Sequence, residues 1–195
     1  SEMCIRDSLE FLGLKTVPNE GQGDCLYMAL ATLFKIMNDK NVKARKYPEV
    51  HGGVRAYINR TLIRYQAQFT SIWDHRNSTN EKVLDKWSDY TTEQLAQGTW
   101  GGFLELIAAA KLAGVTIVLV RPGKSAVMFG EGGYEMWLCL HKKHYTALIP
   151  AIEGAMEEER KTFKKSIAIG ARHSFGKLEI VKSQDVIDLT GGAIG

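Results

Sequence analysis

The order of patterns along the chain predicts an α+β fold in which helices flank a mostly antiparallel β-sheet. Apolar residues at helical spacing dominate the first half, and short β-rich segments follow one another from Val115 to Ile149. With 195 residues, 45% of them apolar and 24% charged, the chain has the length and composition of one globular domain with its own core. These values exclude a fibrous or intrinsically disordered chain.

The helices are predicted from apolar residues that recur three and four positions apart. In the strongest pattern Leu26, Leu30 and Met37 share one face. Asp24 directly precedes this helix as a candidate cap, and Gly114 ends a later one. The predicted helices span residues 25–37, 52–69, 80–87, 91–97, 102–113 and 151–165.

The strands are predicted from apolar runs that lie between turn signals. Val115 to Val120 contains five Val, Ile or Leu residues and is followed by Pro122-Gly123. Glycines at 130–133 and the Lys142-Lys143 pair supply turns between the later runs. The predicted strands span residues 115–120, 125–129, 134–140, 144–149 and 178–182.

Composition also excludes several classes of function. No apolar run approaches the roughly 20 residues of a membrane-spanning helix, and no signal peptide is recognised. The 25 basic and 22 acidic residues lie scattered and give a net charge of only +3, which does not indicate a nucleic-acid partner. The three cysteines form no paired pattern, which predicts a cytoplasmic protein without a disulfide framework. No feature demands an oligomer, so we expect a monomer.

The segment Gly21-Gln22-Gly23-Asp24-Cys25 is a candidate catalytic loop because it leads directly into the strongest helix. A cysteine at a helix N-terminus lies at the positive end of the helix dipole, which favours the nucleophilic thiolate. The glycines allow a tight turn that exposes the backbone N–H groups of Gln22, Gly23, Asp24 and Cys25 as an oxyanion hole. The alternative is a small cysteine buried in the core after a turn.

A cysteine nucleophile needs a general base, and His144 is the best placed of the five histidines. It follows the Lys142-Lys143 turn and opens an apolar strand, whose start would hold it rigidly at a sheet edge. His141, at the end of the preceding strand, is the competing candidate. Cys139, His141 and His144 also suggest a metal site. A closed zinc site needs four ligands and no second cysteine pair is present, so we predict no metal and no other cofactor.

Three motifs together resemble the ovarian tumour (OTU) family of cysteine proteases. Gly21 to Cys25, followed by Leu-Tyr, is similar to the family's nucleophile motif, commonly Gly-Asp-Gly-Asn-Cys-Leu-Phe. Trp100-Gly101-Gly102, with Glu105-Leu106 and the strand 115–120 after it, resembles the central Trp-Gly…Glu-Leu block. His144-Tyr145 before an apolar strand resembles the histidine motif, and all three occur in family order over roughly residues 15–150.

The resemblance implies a papain-like OTU fold and the activity of a deubiquitinase. Cys25 would attack the carbonyl that follows a Gly-Gly, and His144 would take up and return the proton. Trp100, Gly101 and Gly102 would shape a narrow channel that admits only glycine. The implied partner is ubiquitin or a ubiquitin-like modifier, with neither a nucleic acid nor a membrane involved.

Two positions depart from the family's pattern. Gln22 stands where the family usually has Asp, and Thr146 stands where it often has an Asp or Asn that orients the histidine. A threonine hydroxyl accepts a hydrogen bond but offers no charge to an imidazolium. Asn19, six residues before Cys25, is a second candidate for the orienting residue, and a plain Cys–His dyad is a third arrangement. A ubiquitin-binding module with impaired catalysis therefore stays open as an alternative function.

The end of the sequence carries a further signal. Leu189-Thr190-Gly191-Gly192 precedes Ala193 and resembles both the Leu-Arg-Gly-Gly end of ubiquitin and the sites that several viral papain-like proteases cut. This predicts cleavage between Gly192 and Ala193, as in a viral polyprotein acting in the host cytoplasm. A polyprotein-only protease and an uncleaved glycine tail are the alternatives.

These patterns divide the chain into four parts. We predict a lead-in over residues 1–20, a protease domain over 15–150, a helix and strand packed on it over 151–188, and a tail over 189–195.

Overall fold

The computed structural model describes residues 9–74 and 83–174, and within them five strands form one sheet. The strands lie side by side in the order β1-β5-β4-β2-β3. Only β2 and β4 run parallel, and the other neighbours are antiparallel, which confirms the predicted sheet. The strands are β1 (Leu14–Val17), β2 (Thr116–Val120), β3 (Val127–Phe129), β4 (Glu135–His141) and β5 (His144–Pro150).

Helices cover the sheet and build the larger part of the core. The buried face of α1, which includes Leu26, Leu30 and Phe34, packs into one cluster with apolar residues of α2, α5 and one face of the sheet. The opposite face packs a smaller cluster that includes Trp137, Leu148 and Ile167. Within the described residues the helices are α1 (Cys25–Asp39), α2 (His51–Arg64), α3 (Gln66–Asp74), α4 (Val83–Leu95), α5 (Phe103–Ala113) and α6 (Glu157–Ser174).

The predicted helix bounds were wrong in three places. The helix expected over 52–69 is interrupted at Tyr65, whose ψ of 34° is not helical, so α2 and α3 are separate. The two short helices expected over 80–87 and 91–97 form the single helix α4. The helix expected from residue 151 begins at Glu157, because Gly154 and Met156 have left-handed backbone conformations.

Strand β1 was not predicted and belongs to what was expected to be a turn-rich lead-in. It has four residues and pairs only with β5, so its formation depends on a partner more than 120 residues away in sequence. The other strands described were predicted to within a few residues. The strand expected over 178–182 lies outside the described residues.

Candidate active site

The backbone of β5 contacts Cys25 at Tyr145, the residue after His144. Strand β1 pairs with β5 only as far as Val17, which lies opposite Ala147. Beyond that point the edge of β5 is open to other groups, and the N–H of Tyr145 donates a hydrogen bond to the Sγ of Cys25 over 3.3 Å. Cys25 therefore contacts the residue that directly follows His144.

A tight hairpin fixes the position of His144. It is the first residue of β5 and pairs with His141, the last residue of β4. The two residues between them, Lys142 and Lys143, have φ values of 50° and 64°. Positive φ at both positions is the geometry of a two-residue hairpin turn that matches the twist of the flanking strands. The predicted turn is thus present, and both histidines lie at the same end of the sheet.

Cys25 begins α1, but its environment does not favour the thiolate as expected from the helix dipole alone. The side chain is 1% exposed. Burial raises the pKa of the Cys25 thiol above its usual value, and the backbone N–H groups of Tyr145, Leu26 and Cys25 itself only partly offset this. A raised pKa favours the thiol over the thiolate, so a base that takes the proton assists the reaction of Cys25 with a carbonyl.

The loop that precedes Cys25 is a tight turn that only glycine can form at two positions. The N–H of Cys25 donates to the carbonyl of Gln22 over 3.3 Å, while the Gln22 side chain is exposed. A Cβ at Gly21 would lie 2.8 Å from the backbone nitrogen of Cys25, and one at Gly23 would lie 1.7 Å from the carbonyl oxygen of Gly98. The loop therefore packs directly against the backbone at Gly98.

Asp24 occupies the cap position of α1 but does not cap the helix, contrary to the prediction. Its Oδ1 instead accepts hydrogen bonds from the N–H of Gly98 over 2.9 Å and from the Nη2 of Arg55 over 2.6 Å. The Gly98 N–H, aided by Arg55, holds the pKa of the Asp24 carboxyl below its usual value. The long-range partners outcompete the free N–H groups at the helix start.

The two candidate orienting residues bind different parts of the sheet, Asn19 at Tyr145 and Thr146 at Cys139. The Nδ2 of Asn19 donates to the carbonyl of Tyr145 over 2.9 Å, and its Oδ1 accepts from the N–H of Gly21 over 3.1 Å. Asn19 thus ties the loop before Cys25 to the backbone of β5. Thr146 pairs across the sheet with Cys139 and forms a hydrogen bond to its sulfur.

Cys139 itself has the character of a core residue. Burial raises the pKa of the Cys139 thiol to about 11, although the Thr146 hydroxyl lowers it. Within the part of the chain that the structure describes, no group of three or more His, Cys, Asp or Glu side chains is arranged to hold a metal ion.

The Trp100-Gly101-Gly102 segment lies against the first turn of α1. A Cβ at Gly101 would lie 2.6 Å from the Cδ2 of Leu26, so the backbone is in close contact with that helix. The Nε2 of Gln94 donates to the carbonyl of Trp100 over 3.2 Å, and the Trp100 side chain remains 49% exposed. The segment therefore contacts the residue that follows Cys25, and the side chain of Trp100 is accessible to solvent.

Two buried charged residues lie near the site, Arg55 at 2% exposure and Glu105 at 1% exposure. Sequence analysis named Glu105 only as part of the central motif and did not single out Arg55. Glu105 accepts from the N–H of Gly102 over 2.6 Å and from the hydroxyl of Tyr90. Arg55 could have been found, because it adjoins Val54 on the apolar stripe of α2, where a charge is rarely tolerated without a partner.

The predicted cleavage site, Gly192 and Ala193, lies outside the described residues.

Among the helices that the structure describes, none is long and apolar enough to span a bilayer.

Comparison with known proteins agrees with the geometry. The family model described as OTU-like cysteine protease matches residues 20–149, well over half of the chain. The chain therefore belongs to the OTU-like cysteine proteases, and the resemblance drawn from the three motifs is confirmed. No curated protein shows significant similarity to the chain.

Solved structures share the fold at low sequence identity. The OTU domain of OTUD1 is 18% identical with a TM-score of 0.57, and the match covers 76% of this chain and 93% of that one. An OTU domain solved in complex with ubiquitin is 16% identical with a TM-score of 0.53, covering 83% and 89%. The viral OTU domain protease of Taggert virus is 19% identical with a TM-score of 0.51, covering 72% and 81%. These matches confirm the predicted OTU fold.

Proposed function

We propose that the protein is a thiol-dependent deubiquitinase that hydrolyses the peptide or isopeptide bond after the C-terminal Gly-Gly of ubiquitin or a ubiquitin-like modifier. The observation that carries the proposal is the contact between the Sγ of Cys25 and the N–H of Tyr145, one residue after His144. Membership of the OTU-like cysteine proteases supports thiol chemistry, and the similar OTU domain solved with ubiquitin supports the substrate.

In the first half of the reaction, His144 takes the proton of the Cys25 thiol while the sulfur attacks the carbonyl carbon of the terminal glycine. The carbonyl becomes an oxyanion, which the N–H groups of the Gln22–Cys25 loop would stabilise. Collapse of this intermediate breaks the C–N bond, and the His144 imidazolium gives its proton to the leaving amine. A thioester to Cys25 remains.

In the second half, His144 removes a proton from water, which attacks the thioester. The C–S bond breaks, and the sulfur recovers its proton from His144, so that the enzyme returns to its starting state. The raised pKa of Cys25 is compatible with this sequence, because the thiol needs to lose its proton only when the base and the substrate are both present.

The residue that orients His144 is a separate proposal. Asn19 acts through the backbone of Tyr145, whereas Thr146 follows His144 by two residues and so lies on the same face of β5. We expect Asn19→Ala and Thr146→Ala, made singly, to identify the residue by a loss of kcat. Unchanged rates in both variants would leave a Cys–His dyad.

The test uses ubiquitin with an alkyne in place of its C-terminal carboxylate. Mixed with the protein, it should add the mass of one ubiquitin, and Cys25→Ala should abolish the addition. Cys139→Ala is the matched control, because Cys139 is the other buried free cysteine of the described residues and should not be needed. An unlabelled, folded wild-type protein would contradict the proposal, and binding of ubiquitin without labelling would favour the non-catalytic module.

We further propose that the same site cuts the chain between Gly192 and Ala193. The Leu189-Thr190-Gly191-Gly192 sequence supports this, because it ends in the same Gly-Gly as ubiquitin. Incubation should release Ala193-Ile194-Gly195, as measured by intact mass, and the Cys25→Ala protein should keep them. An intact end in the active protein would refute self-processing and leave the deubiquitinase proposal standing.

The setting of this activity is also proposed. We assign catalysis to residues 15–150, with 151–188 as an extension, and we place the protein in the cytoplasm, or the host cytoplasm if it is viral. The two free cysteines of the described residues suit a reducing compartment.

A further inference from the structure

A buried arginine connects the loop that carries Cys25 to the segment on its other side. Arg55 projects from the first turns of α2, and its Nη2 lies 2.6 Å from the Oδ1 of Asp24 and 3.5 Å from the carbonyl of Gly23. Its Nη1 donates to the carbonyl of Gln94 over 2.8 Å. The guanidinium also lies over the ring of Tyr27, 4.0 Å from the ring centroid. Arg55 is 2% exposed, and these contacts replace the water that both of its Nη atoms have lost, while its Nε is buried without a hydrogen-bond partner.

A second set of contacts joins the same two parts of the chain. Asp24 binds the N–H of Gly98, and the backbone of Gly23 packs against the carbonyl of Gly98. The hydroxyl of Tyr27 donates to the Oε1 of Gln94 over 3.1 Å. Residues 94–101, here called the 94–101 segment, are therefore held to the cysteine loop at several points, and Arg55 and Asp24 supply the charged ones.

The position of Arg55 determines which way one peptide group of the loop faces. In a trans peptide the C=O and the following N–H point in opposite directions. Because the carbonyl of Gly23 faces Arg55, the N–H of Asp24 faces away from it, and among the described residues this N–H has no acceptor. The N–H of Cys25 already donates to Gln22. The N–H of Asp24, one residue before Cys25, is thus a donor without an acceptor among the described residues.

We propose that Arg55 and Asp24 are positioning residues, whose hydrogen bonds to each other, to the carbonyl of Gly23 and to the N–H of Gly98 hold the Gly23–Asp24 peptide so that the N–H of Asp24 stabilises the oxyanion formed at Cys25. This inference rests on the proposed function and adds to it the source of the oxyanion donor. Neither side chain touches the substrate, and both act through the peptide group that they orient. Because Arg55 also binds Gln94, the orientation of the donor depends on the 94–101 segment.

Two reactions of Cys25 separate positioning from general loss of structure. Hydrolysis of a ubiquitin C-terminal amide passes through an oxyanion, whereas alkylation of the same thiol by iodoacetamide does not. Removal of an oxyanion donor lowers kcat by about 100- to 1,000-fold in a serine protease. We expect Arg55→Met and Asp24→Ala each to lower kcat for the amide by about 10- to 100-fold on that scale. KM and the alkylation rate should change by less than about threefold.

A conservative variant, a double variant and a control variant make the test more specific. Asp24→Asn keeps an oxygen that accepts from Gly98 and Arg55, so it should recover most of the kcat that Asp24→Ala loses. The double variant of Arg55→Met with Asp24→Ala should lose no more than the worse single variant, because both act on one peptide. Lys164→Met, which breaks a partly buried ion pair with Glu135 between α6 and β4, is the matched control and should keep full kcat.

The outcomes distinguish this inference from the proposed function. If the wild-type protein does not hydrolyse the ubiquitin amide, the proposed function fails, and the oxyanion role fails with it. If the wild-type protein is active and the variants lose alkylation and hydrolysis in parallel, or lose neither, the deubiquitinase stands and the positioning role is refuted. Equal failure of Asp24→Asn and Asp24→Ala would also refute it.

Discussion

Replacement of Gly23 by alanine should stop catalysis without unfolding the protein. The Cβ of an alanine at this position would lie 1.7 Å from the carbonyl oxygen of Gly98 and 2.3 Å from its carbonyl carbon. Real Cβ atoms do not approach other atoms closer than 3.0 Å, so the loop and the 94–101 segment must separate by roughly 1.3 Å. Both contact atoms belong to backbone, so no side-chain rotation relieves the overlap.

The size of that shift sets the expected loss of activity. A misplacement of about 1 Å at a reacting group can cost about 100-fold in rate. Gly23 is two residues before Cys25, and the same movement would pull Asp24 from the N–H of Gly98. We therefore expect Gly23→Ala to lower kcat/KM for a ubiquitin amide by about 100-fold or more. The free energy of unfolding should fall by about 1–3 kcal/mol, as for other overpacked sites.

The assay compares Gly23→Ala with Gly133→Ala, at which a Cβ would meet no atom within 4 Å and the backbone is not left-handed. Hydrolysis rates and thermal unfolding are measured for both variants and for the wild type. Gly133→Ala should match the wild type in both. A Gly23→Ala variant that hydrolyses the amide at the wild-type rate would refute the argument that the loop is held against Gly98 during catalysis.

Three more predictions follow from the buried and charged groups. Because burial raises the pKa of the Cys25 thiol, the rate at which it is alkylated without substrate should still increase with pH at pH 9.0. A rate that reaches a plateau at lower pH would contradict the prediction. The pKa of the Asp24 carboxyl is lowered in the folded state, so the carboxylate stabilises the folded protein at neutral pH. This stabilisation is lost as the pH falls through the pKa that Asp24 has in the folded state. The free energy of unfolding, measured with urea, should therefore change less between pH 6 and pH 3 in Asp24→Asn than in the wild type. Glu105→Ala removes the acceptor of the buried N–H of Gly102 and one acceptor of the Tyr90 hydroxyl, so the free energy of unfolding in urea should fall by about 2–4 kcal/mol, which an unchanged midpoint would disprove.

Local sequence predicts those parts of the molecule that depend on local interactions. The apolar spacing of α1, the run of β2 and the two-residue turn before His144 each carry their own signal, and each forms as expected. The order of the motifs then indicates that Cys25 and His144 come together, and the structure brings the sulfur against the residue next to His144.

Local rules fail at the same loop, where partners distant in sequence act more strongly. A dipole argument predicts a thiolate at Cys25, but burial of the thiol outweighs it. A helix cap is predicted at Asp24, but its carboxylate binds Arg55 and the N–H of Gly98 instead of the N–H groups at the start of α1. The identity of these partners depends on how α2 and the 94–101 segment pack, and no spacing within the loop encodes that.

The early end of β1 explains why a nucleophile can lie at this edge of the sheet. Val17 is the last residue of β1 that pairs with β5, and the chain leaves the strand at the next residue, Pro18. The backbone groups of Tyr145 then bind other partners. Its N–H donates to the Sγ of Cys25, and its C=O accepts from the Nδ2 of Asn19. Had β1 continued along β5, its backbone would have occupied both, and the sulfur would have had no place beside His144. The strand that sequence analysis did not predict therefore determines where Cys25, the predicted nucleophile, meets β5.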